Sequence, residues 1–323
     1  MNCMLQIRLT LLLTISAVLI FLSTALALVA GSSIGKVVFL KNNEINVAKG
    51  DGADVKALTS DSVRKSKPVW SPDGQRIAYL IPGMESSNPK THANIVIIHS
   101  TGIPQIVVPV LSTEADGTIV EGMRFVEEFG WFGNGAVFAM GTLNPRIAEY
   151  RVLDIDSSNV IQSYFGYGFA TCAIGAKVAY LAENAGVDSR GVHVELQGVL
   201  VYSAPEGATL RGLQWSSKCQ RLAFFQIGSA NTRLVVLRFV DHSVRVEASL
   251  PLPKEMSNPE VKPVENSFLV SSDRVNLAYD GASRSLRPAL ENLEELQKQQ
   301  QSRDLLIQNL GGSSPDWWMP RQE

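Results

Sequence analysis

Residues 67–80 read KPVWSPDGQRIAYL. Val69 and Trp70 favour a strand, and Ile77-Ala-Tyr79 opens a second apolar run. Between them Ser-Pro-Asp-Gly is turn chemistry, each residue for its own reason. Pro72 pre-sets φ, Asp73 bonds its own backbone, and Gly74 accepts a positive φ without strain. The stretch therefore predicts a hairpin with a large aromatic just before the turn. Trp70 is expected to pack between sheets, and Asp73 and Gly74 to serve the turn.

Alignment on the Ala of Ile-Ala-Tyr finds four relatives of this stretch. Residues 131–139 keep a tryptophan, Trp131, a glycine four residues on, Gly135, and the apolar strand. Residues 215–223 keep Trp215, Ser216 and Gln-Arg-Leu-Ala, with Cys219 in the place of Gly74. Residues 171–179 lose the tryptophan but keep Gly175 and Val-Ala-Tyr, and residues 270–278 keep Ser271, Asp273 and Leu-Ala-Tyr. The anchors 70, 131, 171, 215 and 270 lie 61, 40, 44 and 55 residues apart, an irregular period into which loops have been inserted. A partial copy opens the series with Lys36–Leu40, Ile45–Lys49 and Val55–Thr59. Further short strands are expected at Asn94–Ile98, Tyr150–Leu153, Val199–Tyr202 and Leu234–Leu237. Each unit is three or four strands, too little to bury both of its faces alone, so the units must pack on one another. Radial packing also protects their edges. The expected fold is all-β, a β-propeller of six blades, with five as the alternative.

The run Trp-Ser-Pro-Asp-Gly-x-Arg-Ile-Ala-Tyr, with Ile-x-Val, Asp-Gly and Leu-Thr around it, resembles the TolB-type propeller repeat. The match is close over residues 36–80, moderate over 215–224 and faint in the other copies, which together cover roughly 36–285. TolB proteins place a smaller α/β domain before a six-bladed propeller; here a few residues separate the leader from the first strand, and that domain is not expected. The resemblance implies a protein partner in the cell envelope.

Leu9 to Ala30 is an uncharged run of 22 residues behind Arg8, the mark of a targeting segment. Its length permits a membrane span, while Ala25-Leu-Ala27 and Ala30-Gly-Ser-Ser33 permit cleavage. Residues 1–30 are thus expected to be a signal peptide or an N-terminal anchor, with membrane contact through 9–30. Either places the propeller outside the cytoplasm, in the periplasm or beyond it, and the chain has no Asn-x-Ser/Thr acceptor. The whole chain carries 29 basic and 31 acidic residues, so no basic field draws it to nucleic acid. Of three cysteines, Cys3 lies in the leader, and Cys172 and Cys219 fall in turns of successive units. Turns of adjacent blades are expected to sit too far apart to bridge, leaving two separate thiols.

The period changes from two to about 3.6 over Leu286–Leu310, with Pro288 suited to a first helical turn and Gly311-Gly312 to a stop. The organisation expected is leader 1–30, propeller 34–285, and a helix with a tryptophan-bearing tail over 286–323. Trp317 and Trp318 suit docking on the propeller, a partner or a membrane interface.

Catalytic motifs are missing. His92, His99, His193 and His242 are scattered, and no HExxH, P-loop or GxGxxG occurs. The adjacent or alternating acids Glu127-Glu128 and Asp154/Asp156 read as solvated loops, and no catalytic, cofactor or metal residue is assigned. The connection over Ser112–Val126, with Glu114, Asp116 and Glu121, is long and polar, as is Glu183–Arg190; long insertions on one propeller face commonly carry binding. The expected role is a non-catalytic scaffold holding a protein partner in the cell envelope. The alternatives are a propeller-type lyase or hydrolase acting on an extracellular polymer, and a membrane-anchored sensor or assembly factor.

Overall fold

The computed structural model describes residues 35–81, 93–102, 105–110, 126–144, 147–183, 192–240, 243–264, 267–273, 275–289 and 301–319. The leader 1–30, the acids Glu114, Asp116 and Glu121, and His92 and His242 lie outside them. All the described strands belong to antiparallel sheets. Blade 2 is β4 (Val69–Trp70), β5 (Arg76–Ile81), β6 (Asn94–His99) and β7 (Gln105–Pro109). Blade 3 is β8 (Glu128–Trp131), β9 (Ala136–Asn144), β10 (Ile147–Asp154) and the first half of β11 (Val160–Cys172). The second half of β11 opens blade 4, followed by β12 (Lys177–Glu183), β13 (Val192–Leu196) and β14 (Val199–Ser203). β11 pairs with β10 up to Gly166 and with β12 from Tyr167, turning back at Gly168, whose φ is +58°. Blade 5 is β15 (Thr209–Trp215), β16 (Arg221–Ile227), β17 (Thr232–Val240) and β18 (Ser243–Pro251); blade 6 is β19 (Glu260–Val264), β20 (Ser267–Ser271), β21 (Asn276–Asp280) and β22 (Ser285–Pro288).

Blade 1 joins the two ends of the chain. Its outer strands are β1 (Lys36–Lys41), β2 (Glu44–Lys49) and β3 (Lys56–Ala57), and its innermost is β23 (Ser313–Trp318), paired antiparallel with β1. First strands of neighbouring blades touch, β23 on β4, β4 on β8, β11 on β15 and β15 on β19, so they line the axis. Among the described residues the strands make six four-stranded blades, with β11 shared between blades 3 and 4 in one seven-stranded sheet.

Burial follows from this packing. In β5, Ile77, Ala78, Tyr79 and Leu80 are buried in succession, because a middle strand is covered on both sides by neighbouring blades. Apolar clusters fill five junctions directly, one blade against the next. The remaining face of blade 1 is covered differently. Val37, Phe39 and Ala48 pack on Ile307 of the helix α1 (301–309), on Leu310 just past its end and on Trp317.

Three expectations are corrected here. The helix does not begin at Leu286: Ser285–Pro288 is the outermost strand of blade 6, an edge position that tolerates a proline, and residues 290–300 are not among those described. The last repeat copy, 270–278, is shifted by one strand, so Ser271–Asp273 lie between the second and third strands of blade 6 and not after the first. Leu-Ala-Tyr fits either middle strand, since both are buried on two sides. Thirdly, the tail is part of the ring, with Trp317 and Trp318 opposite Val37 and Lys36.

Candidate functional site

In an antiparallel blade the turns after the first and third strands leave by one face of the ring. The turns after the second strand, and the crossings to the next blade, leave by the other. The Trp-Ser-Pro-Asp-Gly stretch lies on the first, the turn face. There Ser71 N–H donates to the Arg76 carbonyl at 2.8 Å, Gly74 N–H to the Ser71 carbonyl at 2.9 Å, and Arg76 N–H to Ser71 Oγ at 2.9 Å. Blade 5 repeats these three bonds with Ser216, Cys219 and Arg221 at 2.9, 2.8 and 3.0 Å. Cys219 takes a φ of +54° where Gly74 takes +67°. Burial pushes the Asp73 carboxyl up, but Ser71 Oγ at 2.6 Å, Gln75 N–H at 3.0 Å and the Arg76 charge hold it below its ordinary value. Blade 3 turns differently: Gly133 has the positive φ, and Gly135 has open space around its Cα.

Each repeat tryptophan is held by the blade before it. Trp131 Nε1 donates to the Val69 carbonyl at 3.1 Å while the Arg76 guanidinium lies 5.6 Å from its ring. Trp215 Nε1 donates to the Ala170 carbonyl at 3.0 Å with Lys177 Nζ 5.9 Å from its ring. Lys36 Nζ stands over both Trp70, at 5.9 Å, and Trp318, at 5.3 Å. Arg76, Lys177 and Lys36 are each the first residue of a second strand, so a repeated cation–π contact joins blade to blade. Trp318 in turn lies on the Ser71–Gly74 turn, where a Cβ at Gly74 would come within 2.2 Å of its ring.

Cys172 and Cys219 are bonded, with Cα atoms 5.9 Å apart. This overturns the expectation of separate thiols. Both lie beside the axis, Cys172 at the end of an inner strand and Cys219 in the next blade's turn, and blades are closest together there.

The opposite face receives the long connections. The chain leaves it after Ile81 and returns at 93, leaves after Val110 and returns at 126, and leaves after 183 and returns at 192. Buried polar groups brace the roots. Glu149 and Arg151, each 4% exposed, form a two-bonded ion pair, and Arg151 Nη1 reaches the Val110 carbonyl at 3.5 Å. Beside residue 192, His193 Nε2 is 3.1 Å from Glu195 Oε1, and Tyr180 Oη donates to the other carboxylate oxygen. In the crossing from blade 1 to blade 2 the Lys65 ammonium is fully enclosed, bonded to Glu44, Asp61 and the Val63 carbonyl. A shallow pocket of about 280 Å³ opens between 228–232 and 252–256, with Leu252 and Met256 beneath and Lys254 at its side.

No group of three or more metal-ligating side chains occurs among the described residues, and His99 and His193 stand in different blades. Asp154 ties its own turn, accepting from Ser157 N–H at 2.8 Å. Among the described residues no helix is long and apolar enough to cross a membrane.

Dipeptidyl peptidase 4 from Porphyromonas gingivalis superposes with a TM-score of 0.52 at 12% identity, over 82% of this chain and 45% of that one. The tricorn protease gives 0.50 at 11%, over 78% and 29%. The fold is a β-propeller. TolB from Acinetobacter baumannii also matches, at 14% identity over 89% of this chain and 67% of that one, with a TM-score of 0.38. This chain spans less than half the length of the two peptidases. No family model matches the chain, and no curated protein matches it.

The cations over the tryptophans, the disulfide and the place of Trp317 were not read from the sequence. One signal was there: each repeat tryptophan, Trp70, Trp131 and Trp215, pairs with a Lys or Arg opening the second strand of the blade before it.

Proposed function

We propose that this propeller is a non-catalytic scaffold of the cell envelope, binding a protein partner on the face that receives the long connections. One observation carries the reading: the described strand ends that flank 82–92, 111–125 and 184–191 all lie on that single face, and the last two pairs are braced by buried polar groups. A rigid frame bearing long polar connections lowers the ordering cost of binding. The opposite face has short turns knitted blade to blade, leaving little adaptable surface. The buried Cys172–Cys219 bond supports an oxidising compartment, in keeping with the uncharged run 9–30.

A photo-crosslinking residue placed singly at Ser229 or Lys254, on the connection face, is expected to trap one protein species in intact envelopes. The same residue at Gln75 or Lys218, exposed on the turn face, is expected to trap none. Equal trapping from both faces, or turnover of an extracellular glycan by the purified protein, overturns the reading.

A further inference from the structure

The junction between blades 6 and 1 is built unlike the other five. On blade 6, Val261, Leu277, Tyr279 and Leu286 point at blade 5, and by strand alternation the opposite face carries Glu260, Lys262, Asp280 and Arg287 around Leu269 and Ala278. Arg287 Nη2 pairs with Asp280 at 3.1 Å, and Lys262 with Glu260 at 3.7 Å. Among the described residues, no side chain of blade 6 joins the apolar cluster of Val37, Phe39 and Ala48. Those are met by α1 and β23: Ile307 and Leu310 pack on them with Trp317, and the Arg303 guanidinium lies 5.2 Å from the Trp317 ring. α1 passes into β23 through a tight cap, Gly312 N–H donating to the Ile307 carbonyl at 3.0 Å and Gly311 N–H to that of Gln308 at 2.9 Å. Helix, cap and strand are therefore one packed unit. It is held to blade 1 by a strand ladder whose register slips between Val38 and Leu40, by the Asp316 carboxylate accepting Trp70 N–H at 2.6 Å, and by Trp318 on the Ser71–Gly74 turn. No covalent turn joins β23 to β1, whereas inner and second strands are consecutive in every other blade.

We propose that α1 and β23 form a latch that opens as one unit, uncovering Val37, Phe39, Ala48 and the inner edge of β1 while blades 2 to 5 stay folded. Regions opening below the global free energy are those held by few buried contacts and joined to the rest through one cooperative unit. Here that unit is bounded by the chain's own closure.

Hydrogen exchange of the full chain tests it. The amides of 301–318 and those of 36–41 bonded to β23 are expected to exchange together, on the order of 100-fold faster than the amides of β16 and β17. A disulfide between Leu40→Cys and Ser313→Cys, which are register partners, is expected to slow both segments to the rate of β16, with the unbridged double variant as the control. The latch is refuted if both segments exchange in the same step as β16 and β17. It is refuted equally if 301–309 exchanges fast whether or not the bridge is present, because that is fraying of the helix by itself.

Discussion

Gly74 carries two requirements at once. Its φ of +67° costs a side chain on the order of 1–2 kcal/mol, a cost Cys219 meets at the equivalent turn. The second requirement belongs to Gly74, because the Trp318 ring occupies the place of its Cβ. Gly74→Ala is expected to lose about 2–3 kcal/mol of stability by chemical denaturation. In the Gly74→Ala/Trp318→Ala pair the losses are expected to sum to less than the two singles, since the clash is then absent. Asp316 makes a prediction about pH. Burial raises its carboxyl above the ordinary 3.8, opposed by the Trp70 N–H bond and the nearby Lys67 charge. The native state thus holds this proton more tightly than the unfolded chain, and stability falls as pH climbs from 3.8 through the raised value. Asp316→Asn keeps an acceptor for Trp70 N–H and removes the titration. The variant is expected to equal or exceed the parent in stability at neutral pH, with its advantage shrinking below the ordinary carboxylate range.

Among elements, the junction of blades 4 and 5 is the most heavily tied. It has the Trp215–Ala170 bond, the Lys177 cation and a disulfide closing 47 residues. Loop-closure entropy for that length stabilises by about 4 kcal/mol, within a usual range of about 2–5. Cys172→Ser/Cys219→Ser is expected to lose that much, and a reductant to lower the melting temperature of the parent and leave the variant unchanged. Blade 5 also holds Glu247 between Arg221, at 2.6 Å, and Arg238, at 3.4 Å. Burial pushes its carboxyl up, but the two guanidiniums bring it below the ordinary 4.5. The charged form is therefore favoured in the fold, and its contribution is present above 4.5 and lost as pH falls through the lowered value. Glu247→Gln is expected to lower stability at neutral pH and to flatten the acid limb of the stability curve.

At the scale of the whole molecule, the two faces of the ring have different work. The turn face is fastened by contacts that recur from blade to blade, and the other face carries the departures of chain that the repeats do not share. Replacing 114–121 by a short Gly-Ser linker is expected to abolish crosslinking from Ser229 and Lys254 while leaving the melting temperature within about 2 °C, because changing the length of a connection between two strands costs little loop-closure entropy. A matched loss of stability would place that connection in the core.

The blades were legible before any coordinates because each middle strand is buried on both sides, and that leaves continuous apolar runs such as Ile77–Leu80 between turn residues. Trp70 and Trp215 were legible as packing residues for the same reason, being large and apolar beside a turn. The last copy, 270–278, reads one strand out of place, because Leu-Ala-Tyr satisfies either middle strand equally. What the sequence by itself determined is local: strands, turns and the period that makes them blades. Only the tertiary structure decided which ends meet. Cys172 and Cys219 bond because blades converge toward the axis, and Trp317 and Trp318 join β1 because a ring brings residues 313–318 beside 36–41. Distances of that kind arise from closure, and a run read along one line carries no record of them. For KPVWSPDGQRIAYL the turn is written in its own residues, whereas the ring lying on its glycine belongs to residue 318.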